Sequence, residues 1–180
     1  MVKFEKVSRF KDADIKMPAR STAKSAGYDL PVAEDIVIPS YISQVQEMNT
    51  VGTPGLYLKN AFTLDEMKDL TKRFEIKPTL VSTGLKCYLD DDKYLELSVR
   101  SSTPLKYWLL MANSEGIIDA DYADNPDNEG EIFLQMINLS PFDIQLKAGD
   151  CIGQGIIKTY YVTDDDIAQG DRLGGFGSTS

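Results

Sequence analysis

The sequence contains no histidine, and only two of its 180 residues are cysteines, Cys87 and Cys151. Without histidine, Ser-His-Asp catalysis and histidine-ligated zinc are excluded. Two cysteines are too few for a disulfide scaffold, and their spacing matches no metal motif, so we expect two buried thiols. Acid–base chemistry therefore has to come from carboxylates, lysine, tyrosine or water.

Basic residues are also scarce, with 19 Lys and Arg against 28 Asp and Glu and a formal net charge of -9. This balance argues against a nucleic-acid-binding surface, although a few local donors can still bind a small anion. No run of about 18 apolar residues is present, which predicts no membrane span. The first six residues mix charged and apolar side chains and lack a signal-peptide core, so we expect a cytoplasmic protein.

Short segments in which apolar and polar residues alternate make up much of the chain, separated by glycine or proline turns. The clearest are residues 35–38, 80–89, 94–99, 131–137, 142–146 and 151–157. Alternation of this kind is typical of strands with one buried face. Many short strands between turns predict a mainly β protein, either a sandwich or a barrel.

Residues 41–77 interrupt this pattern and are interpreted as an insertion. Thr63 and Glu66 form a capping-box pattern, which predicts a helix over residues 63–74. We expect its apolar stripe to pack on the core, with a protein-binding helix as the alternative; the stripe comprises Leu64, Met67, Leu70 and Phe74. The chain is then one β domain over residues 1–169, followed by a flexible glycine-rich arm over residues 170–180.

Four segments carry groups suited to phosphate or its metal ion. Residues 26–30 (Ala-Gly-Tyr-Asp-Leu) place a carboxylate after a glycine turn, and residues 100–102 (Arg-Ser-Ser) place a guanidinium beside two hydroxyls. Residues 149–154 (Gly-Asp-Cys-Ile-Gly-Gln) put an amide on a strand. Residues 172–179 (Arg-Leu-Gly-Gly-Phe-Gly-Ser-Thr) offer N–H groups, hydroxyls and a cation around one ring. Each segment alone is typical of ordinary structure, and their joint occurrence indicates a site.

A fifth segment, residues 113–122 (Asn-Ser-Glu-Gly-Ile-Ile-Asp-Ala-Asp-Tyr), contains the candidate base. Asp119 stands among isoleucines and alanine, where a carboxylate is either structural or functional. A hairpin is predicted here, with Ser114-Glu115-Gly116 as its turn. Tyr122 adds a flat apolar face with a polar tip.

In this order the five segments resemble the five motifs of trimeric dUTPases. The similarity spans residues 26–179, apart from the insertion. It implies a jelly-roll or β-barrel fold and a homotrimer with active sites shared between subunits. It further implies magnesium-dependent hydrolysis of dUTP to dUMP and pyrophosphate, which limits uracil in DNA and supplies dUMP for thymidylate synthesis.

The resemblance also implies roles for the third-motif residues. Asp119 would orient and deprotonate the attacking water. Asn113 would read the uracil edge, helped by the hairpin backbone at Gly116 and Ile118. Tyr122 would pack against the deoxyribose and leave no room for a 2′-hydroxyl.

For the phosphates and the metal, the resemblance implies further residues. Asp29 would position Mg²⁺ through water. The residues that would hold phosphate oxygens are Arg100, Ser101, Ser102 and Gln154. In the arm, Phe176 would stack over the uracil, and Arg172, Ser178 and Thr179 would bind the γ-phosphate. Gly177 would also contact the substrate.

Two features depart from the family pattern. Seven residues, 123–129, separate Tyr122 from Gly130, where the family usually has one; we expect a solvated acidic loop, with a divalent-ion or partner contact as the alternative. Arg172 also lies one residue closer to Phe176 than usual, which weakens its assignment to the γ-phosphate.

Two other functions remain open. A dCTP deaminase shares the fold and an Arg-Ser-Ser motif, but Gln135 takes the place of its carboxylate base, and an amide cannot accept that proton. A regulatory member of the family could instead bind a protein partner through the insertion at 41–77.

Overall fold

The computed structural model describes residues 1–50, 62–74, 77–168, 170, 172, 174 and 175, without the side chains of residues 47–50 and 74. Strands dominate these residues. In chain order they are β1 (Lys3–Lys6), β2 (Ala19–Arg20), β3 (Tyr28–Pro31), β4 (Ile36–Ile38), β5 (Thr79–Ser82), β6 (Leu85–Tyr88), β7 (Lys93–Val99), β8 (Leu109–Met111), β9 (Gly116–Ile118), β10 (Phe133–Asn138), β11 (Ile144–Leu146) and β12 (Cys151–Thr159).

The strands pair antiparallel in small sheets. The largest has the order β2-β3-β12-β7-β9, a second has the order β5-β10-β8, and β1 pairs with β6 and β4 with β11. Many short antiparallel strands around one core confirm the mainly β, jelly-roll expectation.

Alternating side chains supply that core. Leu95 and Leu97 of β7 are buried, as are Leu134 and Met136 of β10. Burial of each such side chain stabilises the fold by about 1.5–3 kcal/mol. Of the two thiols expected to be buried, that of Cys87 is, whereas Cys151 is only half-buried.

Among the described residues the α-helices are α1 (Tyr41–Thr50), α2 (Leu64–Phe74) and α3 (Ser102–Tyr107), and 3-10 helices cover Ser8–Phe10 and Ala120–Tyr122. The predicted helix α2 is confirmed. The Thr63 N–H donates to Glu66 Oε2 at 2.9 Å, and the Glu66 N–H donates to Thr63 Oγ1 at 3.3 Å, which is the capping box. The described residues of the insertion therefore hold two helices, α1 and α2, where one was predicted.

The apolar stripe of α2 does not pack as expected. Leu64 is 83% exposed and Met67 is 43% exposed, whereas Leu70 is half-buried. The expectation that this stripe packs on the core is wrong for the first two. No described helix is long and apolar enough to cross a membrane.

The turn before Asp119 joins two sheets. β8 pairs with β10, whereas β9 pairs with β7 in the register Leu95↔Ile118 and Leu97↔Gly116. The predicted hairpin is therefore wrong, because the strands on either side of the turn bond to different partners. The turn itself lies where it was predicted, between Met111 and Gly116.

Candidate active site

A cavity of about 210 Å³ lies between the turn and strands β9 and β10. Its lining brings together five predicted site residues: Asn113, Gly116, Ile118, Tyr122 and Arg172. The remaining lining residues are Leu97, Ile117, Phe133 and Gln135. Apolar walls with a few amides and one cation are typical of a small-molecule site.

Backbone hydrogen bonds hold Asn113 at the mouth of this cavity. The Ser114 N–H donates to the Met111 carbonyl at 3.2 Å, and the Glu115 N–H donates to the Asn113 carbonyl at 2.6 Å. Ser114 has φ 61°, a left-handed conformation that few non-glycine residues adopt. The Ala112 N–H donates to the Gln135 carbonyl at 2.8 Å, which fastens the turn to β10.

Tyr122 forms the floor of the cavity and is only 6% exposed. Its hydroxyl donates to the Glu131 carbonyl at 3.1 Å and accepts from Asn128 Nδ2 at 2.8 Å. Burial raises the pKa of the Tyr122 hydroxyl, so the side chain is neutral at physiological pH.

Asp119 lies directly after β9 and is exposed, because the chain turns there into the 3-10 helix Ala120–Tyr122. The Asp119 carboxylate is thus exposed, although its neighbours in sequence, Ile118 and Ala120, are apolar. It faces a second cavity, of about 450 Å³, lined by Asp91, Asp119, Ala120, Asp121, Tyr160 and Arg172.

Arg172 borders both cavities. Its guanidinium forms an ion pair with the Asp119 carboxylate, and its Nε lies 2.7 Å from Asp121 Oδ1. The guanidinium carbon lies 5.7 Å from the centroid of the Tyr122 ring, within cation–π range. Arg172 therefore contacts the third motif of its own chain, and its guanidinium binds the candidate base.

The residues proposed for phosphate binding form a separate cluster at the end of β7. Arg100 Nε lies 3.1 Å from Asp29 Oδ1, and Arg100 Nη1 donates to the Cys151 carbonyl at 3.2 Å. Gln154 lies opposite Asp29 on β3 and opposite Ser98 on β7.

Small groups border this phosphate cluster. A Cβ on Gly27 would lie 2.4 Å from Gln154 Oε1, so the glycine leaves room for that amide. Ser101 is exposed and Ser102 half-buried at the start of α3. Both hydroxyls follow directly on Arg100 in the chain.

Strand β7 separates the two halves of the candidate site. Ile118 pairs with Leu95, so Asp119 lies near the beginning of β7, whereas Arg100 follows its last residue, Val99. The five residue steps from Leu95 to Arg100 span about 17 Å of extended chain. Asp119 and Arg100 of one chain are therefore too far apart to contact the same phosphate group.

Some predicted residues lie outside the described part of the chain: Phe176, Gly177, Ser178 and Thr179. Conversely, the sequence reasoning missed Asp121 and Asn128 as site residues. The Asn-Pro-Asp-Asn order at 125–128 was the available signal for Asn128, because such residues build side-chain turns. No cluster of three or more candidate metal ligands occurs within the described ranges.

Comparison with known proteins gives one consistent family. A family model described as dUTPase matches residues 60–180. The deoxyuridine 5'-triphosphate nucleotidohydrolase of Lactococcus lactis is 37% identical over 178 residues, which cover 98% of this chain and 95% of that protein. The enzyme of the same name from Wolinella succinogenes is 36% identical over 115 residues, or 58% of this chain and 72% of that protein.

Solved structures agree with this comparison. The crystal structure of a dUTPase from Streptococcus mutans matches with a TM-score of 0.67 at 33% identity, covering 89% of this chain and 98% of that one. A mutant dUTPase from phage phi11 of S. aureus, which coordinates a structural Mg(II) ion, matches with a TM-score of 0.60 at 14% identity. That match covers 94% of this chain and 97% of the phage chain and supports the fold alone.

Proposed function

The chain belongs to the dUTPase family, and from this membership we propose that it hydrolyses dUTP to dUMP and pyrophosphate. The observation that carries the proposal is the cavity that gathers Asn113, Gly116, Ile118 and Tyr122 beside the cavity of Asp119. The smaller cavity then accommodates the base and the sugar of the nucleotide, and the carboxylate that activates water lies in the adjacent cavity.

The uracil and the deoxyribose occupy the smaller cavity in this proposal. Asn113 offers both a donor and an acceptor, which match the uracil edge, and the fixed backbone groups at Gly116 and Ile118 add the discrimination against cytosine. Tyr122 is fixed at its hydroxyl and supplies a flat face for the sugar. A 2′-hydroxyl would collide with that face, so UTP is rejected by shape.

Asp119 is the general base of the reaction. Its exposure lets a water molecule reach the carboxylate, which accepts a proton as the water attacks the α-phosphorus. Pyrophosphate then leaves as dUMP remains bound to the cavity.

The donor set fits a magnesium ion that arrives with the triphosphate. Magnesium keeps several waters and usually takes one or two carboxylates together with phosphate oxygens, so a dense carboxylate cluster is not required. Asp29, which lies beside Arg100, would position such an ion through water. When bound, the ion offsets phosphate charge, while the oxygens themselves are held by Arg100, Ser101, Ser102 and Gln154.

The arm over residues 170–180 closes the site in this proposal. Arg172 exchanges the carboxylates of Asp119 and Asp121 for the γ-phosphate, because a guanidinium binds either anion through the same paired N–H groups. That exchange frees Asp119 for the water. Phe176, Gly177, Ser178 and Thr179 then complete the contacts to the base and the terminal phosphate.

We assign the complete site to an assembly of copies, a homotrimer by family expectation. The argument is the separation of about 17 Å along β7, which keeps Asp119 and Arg100 of one chain from contacting the same phosphate group. In this proposal a second chain brings its phosphate cluster to the first chain's Asp119.

Deamination of dCTP is disfavoured by the lining of the smaller cavity. Gln135 lies in that lining, and none of the described lining residues is a carboxylate. The nearby Glu131 carboxylate is instead bound by Ser82 and Arg9, with 3.1 Å between Arg9 Nη2 and Glu131 Oε1. An amide cannot accept the proton that deamination transfers.

A nucleotide-specificity assay tests the proposed function. Purified protein with Mg²⁺ is given dUTP, UTP and dCTP, and release of pyrophosphate and of ammonia is measured. We expect pyrophosphate from dUTP, little from UTP or dCTP, and no ammonia. Ammonia from dCTP, or equal rates with dUTP and UTP, would contradict the proposal.

A further inference from the structure

The acidic loop over residues 123–129 is an ordered element. Asn125 is only 5% exposed, and its Oδ1 accepts the N–H groups of Asp127 at 3.1 Å and Asn128 at 3.3 Å. Its Nδ2 donates to the Tyr122 carbonyl at 2.9 Å and to Asn128 Oδ1 at 2.8 Å. The loop exposes Asp124, Pro126 and Asp127 as expected of a solvated acidic loop, and its asparagine side chains also supply it with its own hydrogen bonds.

Two left-handed residues of this loop are held by the body of the protein. Asp124 has φ 60° and Glu129 has φ 62°, a conformation that costs of order 1 kcal/mol or more for such residues. The Lys86 ammonium pairs with both carboxylates, at 3.0 Å for Glu129, and the Ser8 N–H donates to Glu129 at 2.9 Å. Strain that the surroundings maintain in this way is typical of functional sites.

Gly130 closes the loop on itself. Its φ is +79°, and a Cβ there would lie 2.6 Å from Ala123 Cα and 2.7 Å from the Tyr122 carbonyl oxygen. Only glycine permits this approach. The closure places the Asn128 amide beside the Tyr122 hydroxyl.

Asn128 connects the loop to the cavity. Its Nδ2 donates to the Tyr122 hydroxyl at 2.8 Å, and its Oδ1 accepts the Gly130 N–H at 3.0 Å. The Tyr122 hydroxyl in turn donates to the Glu131 carbonyl at 3.1 Å. The hydroxyl is thus fixed from two sides, and one of them is supplied by the loop.

We propose that Asn128 is a specificity-determining positioning residue, which holds the Tyr122 ring in the pose that excludes a 2′-hydroxyl. This inference rests on the proposed function, because it assigns the sugar to the face of Tyr122. A displacement of about 1 Å in a positioned group is enough to change rates on the order of 100-fold. If the Tyr122 hydroxyl is bound by the Glu131 carbonyl alone, the ring is able to tilt and admit the ribose.

The variant Asn128→Asp tests this directly. Aspartate keeps the acceptors for Gly130 and Asn125 and replaces the N–H donor to Tyr122 by a second carboxylate oxygen. The single proton of the Tyr122 hydroxyl can then reach either that oxygen or the Glu131 carbonyl, so one of its two hydrogen bonds is lost. We expect the ratio of kcat/KM for dUTP to kcat/KM for UTP to fall about tenfold, the size of one lost hydrogen bond. Tyr122→Phe is expected to lower the same ratio, and the double variant to lower it no further than the larger single change.

Asp124→Asn is the matched control. It weakens the ion pair with Lys86 at the other side of the loop and leaves Asn128 and Tyr122 intact. We expect this variant to have a lower Tm and an unchanged ratio of kcat/KM for dUTP to kcat/KM for UTP. This control separates damage to the loop from damage to the selectivity.

The outcomes are distinct. The inference is overturned if Asn128→Asp keeps the parental ratio of kcat/KM for dUTP to that for UTP. It is also overturned if this ratio falls as much in Asp124→Asn as in Asn128→Asp. If Asn128→Asp does not fold, a parental ratio in Tyr122→Phe overturns it instead. A parent protein that does not prefer dUTP over UTP refutes the proposed function itself, whatever the variants do.

Discussion

Arg172 forms an ion pair with Asp119, so a cation of the chain's own arm binds the carboxylate that is assigned to activate water. Asp121 holds the same guanidinium at its Nε. In the proposed reaction, turnover begins with an exchange of anions on Arg172, and the first two predictions below test the two members of this pair.

The first prediction concerns Asp119, the proposed general base. Asp119→Asn should lower kcat for dUTP hydrolysis between about 100-fold and 10,000-fold, because an amide cannot take the proton from water. Since Asp119 is exposed, circular dichroism and Tm should remain close to parental. Pyrophosphate release under saturating dUTP measures the effect, and an unchanged rate would remove Asp119 from the mechanism.

The second concerns the cation. Arg172→Ala should raise the KM for dUTP about tenfold or more, because a charge-assisted hydrogen bond to phosphate contributes about 1.5–3 kcal/mol. Arg172→Lys should retain part of this affinity, since it keeps the charge and loses the paired N–H geometry. Parental KM values in both variants would show that Arg172 stays on the carboxylates during turnover.

The third concerns Gly130. Gly130→Ala should destabilise the protein by about 1–3 kcal/mol, because the new Cβ meets backbone atoms at 2.6 and 2.7 Å and φ is +79°. For a chain of this size that is a fall in Tm of roughly 2–10 °C, measured by calorimetry. Gly149→Ala, with positive φ but nothing within 4 Å of its Cβ, is the control for the conformational part alone. Equal falls would mean that the closure at Gly130 is not tight.

The fourth concerns pH. The Lys86 ammonium, together with Tyr88, lowers the pKa of Asp124 below 3.8. The Ser8 backbone N–H and then Lys86 lower that of Glu129 below 4.5. Folded-state pKa values below the unfolded ones add stability above those ordinary values, and this stability is lost as the pH falls through the folded values. In Lys86→Met the fall in Tm from about pH 5 to about pH 3 should be shallower.

Lys147→Met is the control for that measurement. Lys147 pairs with Asp35 in an exposed ion pair, with 59% and 54% of the two side chains accessible. Lys147 also lowers the pKa of Asp35, but solvent screens a pair that is exposed on both sides, so the change in the acid profile should be smaller than in Lys86→Met. An acid profile of Lys86→Met that is parental would mean that the anchors of the loop do not contribute to acid stability.

The fifth concerns helix α2. Leu64→Ala should leave the Tm within about 1 °C of parental, because the side chain is 83% exposed and its removal opens no cavity. Leu95→Ala, at a fully buried position, should cost about 2–5 kcal/mol. A large loss in Leu64→Ala would mean that the side chain packs in the assembled protein.

Local patterns were sufficient for the elements whose residues interact with near neighbours. The alternation of β7 and β10 and the capping box of α2 were each visible in a few consecutive residues. Helix α3 was missed, because Arg100-Ser101-Ser102 was interpreted as the end of a strand and residues 103–107 were given no assignment.

The elements that were wrong or missing depend on distant partners. The pairing of β9 with β7, and not with β8, is decided by contacts between residues about twenty positions apart in sequence. The exposure of Asp119 follows from the 3-10 helix after it, and the ion pair with Arg172 joins residues 53 positions apart. The motifs could identify Asn113, Gly116, Ile118 and Tyr122 as candidates, while their common cavity required the fold.

The register of β7 also determines what happens when different chains are mixed. If Asp119 and Arg100 serve different sites, a chain that lacks one and a chain that lacks the other are each inactive alone. Co-assembly would then bring an intact Asp119 of one chain to an intact Arg100 of the other in a fraction of the sites. Two inactive preparations would regain activity together, and that complementation would identify the contact between chains as the unit of catalysis.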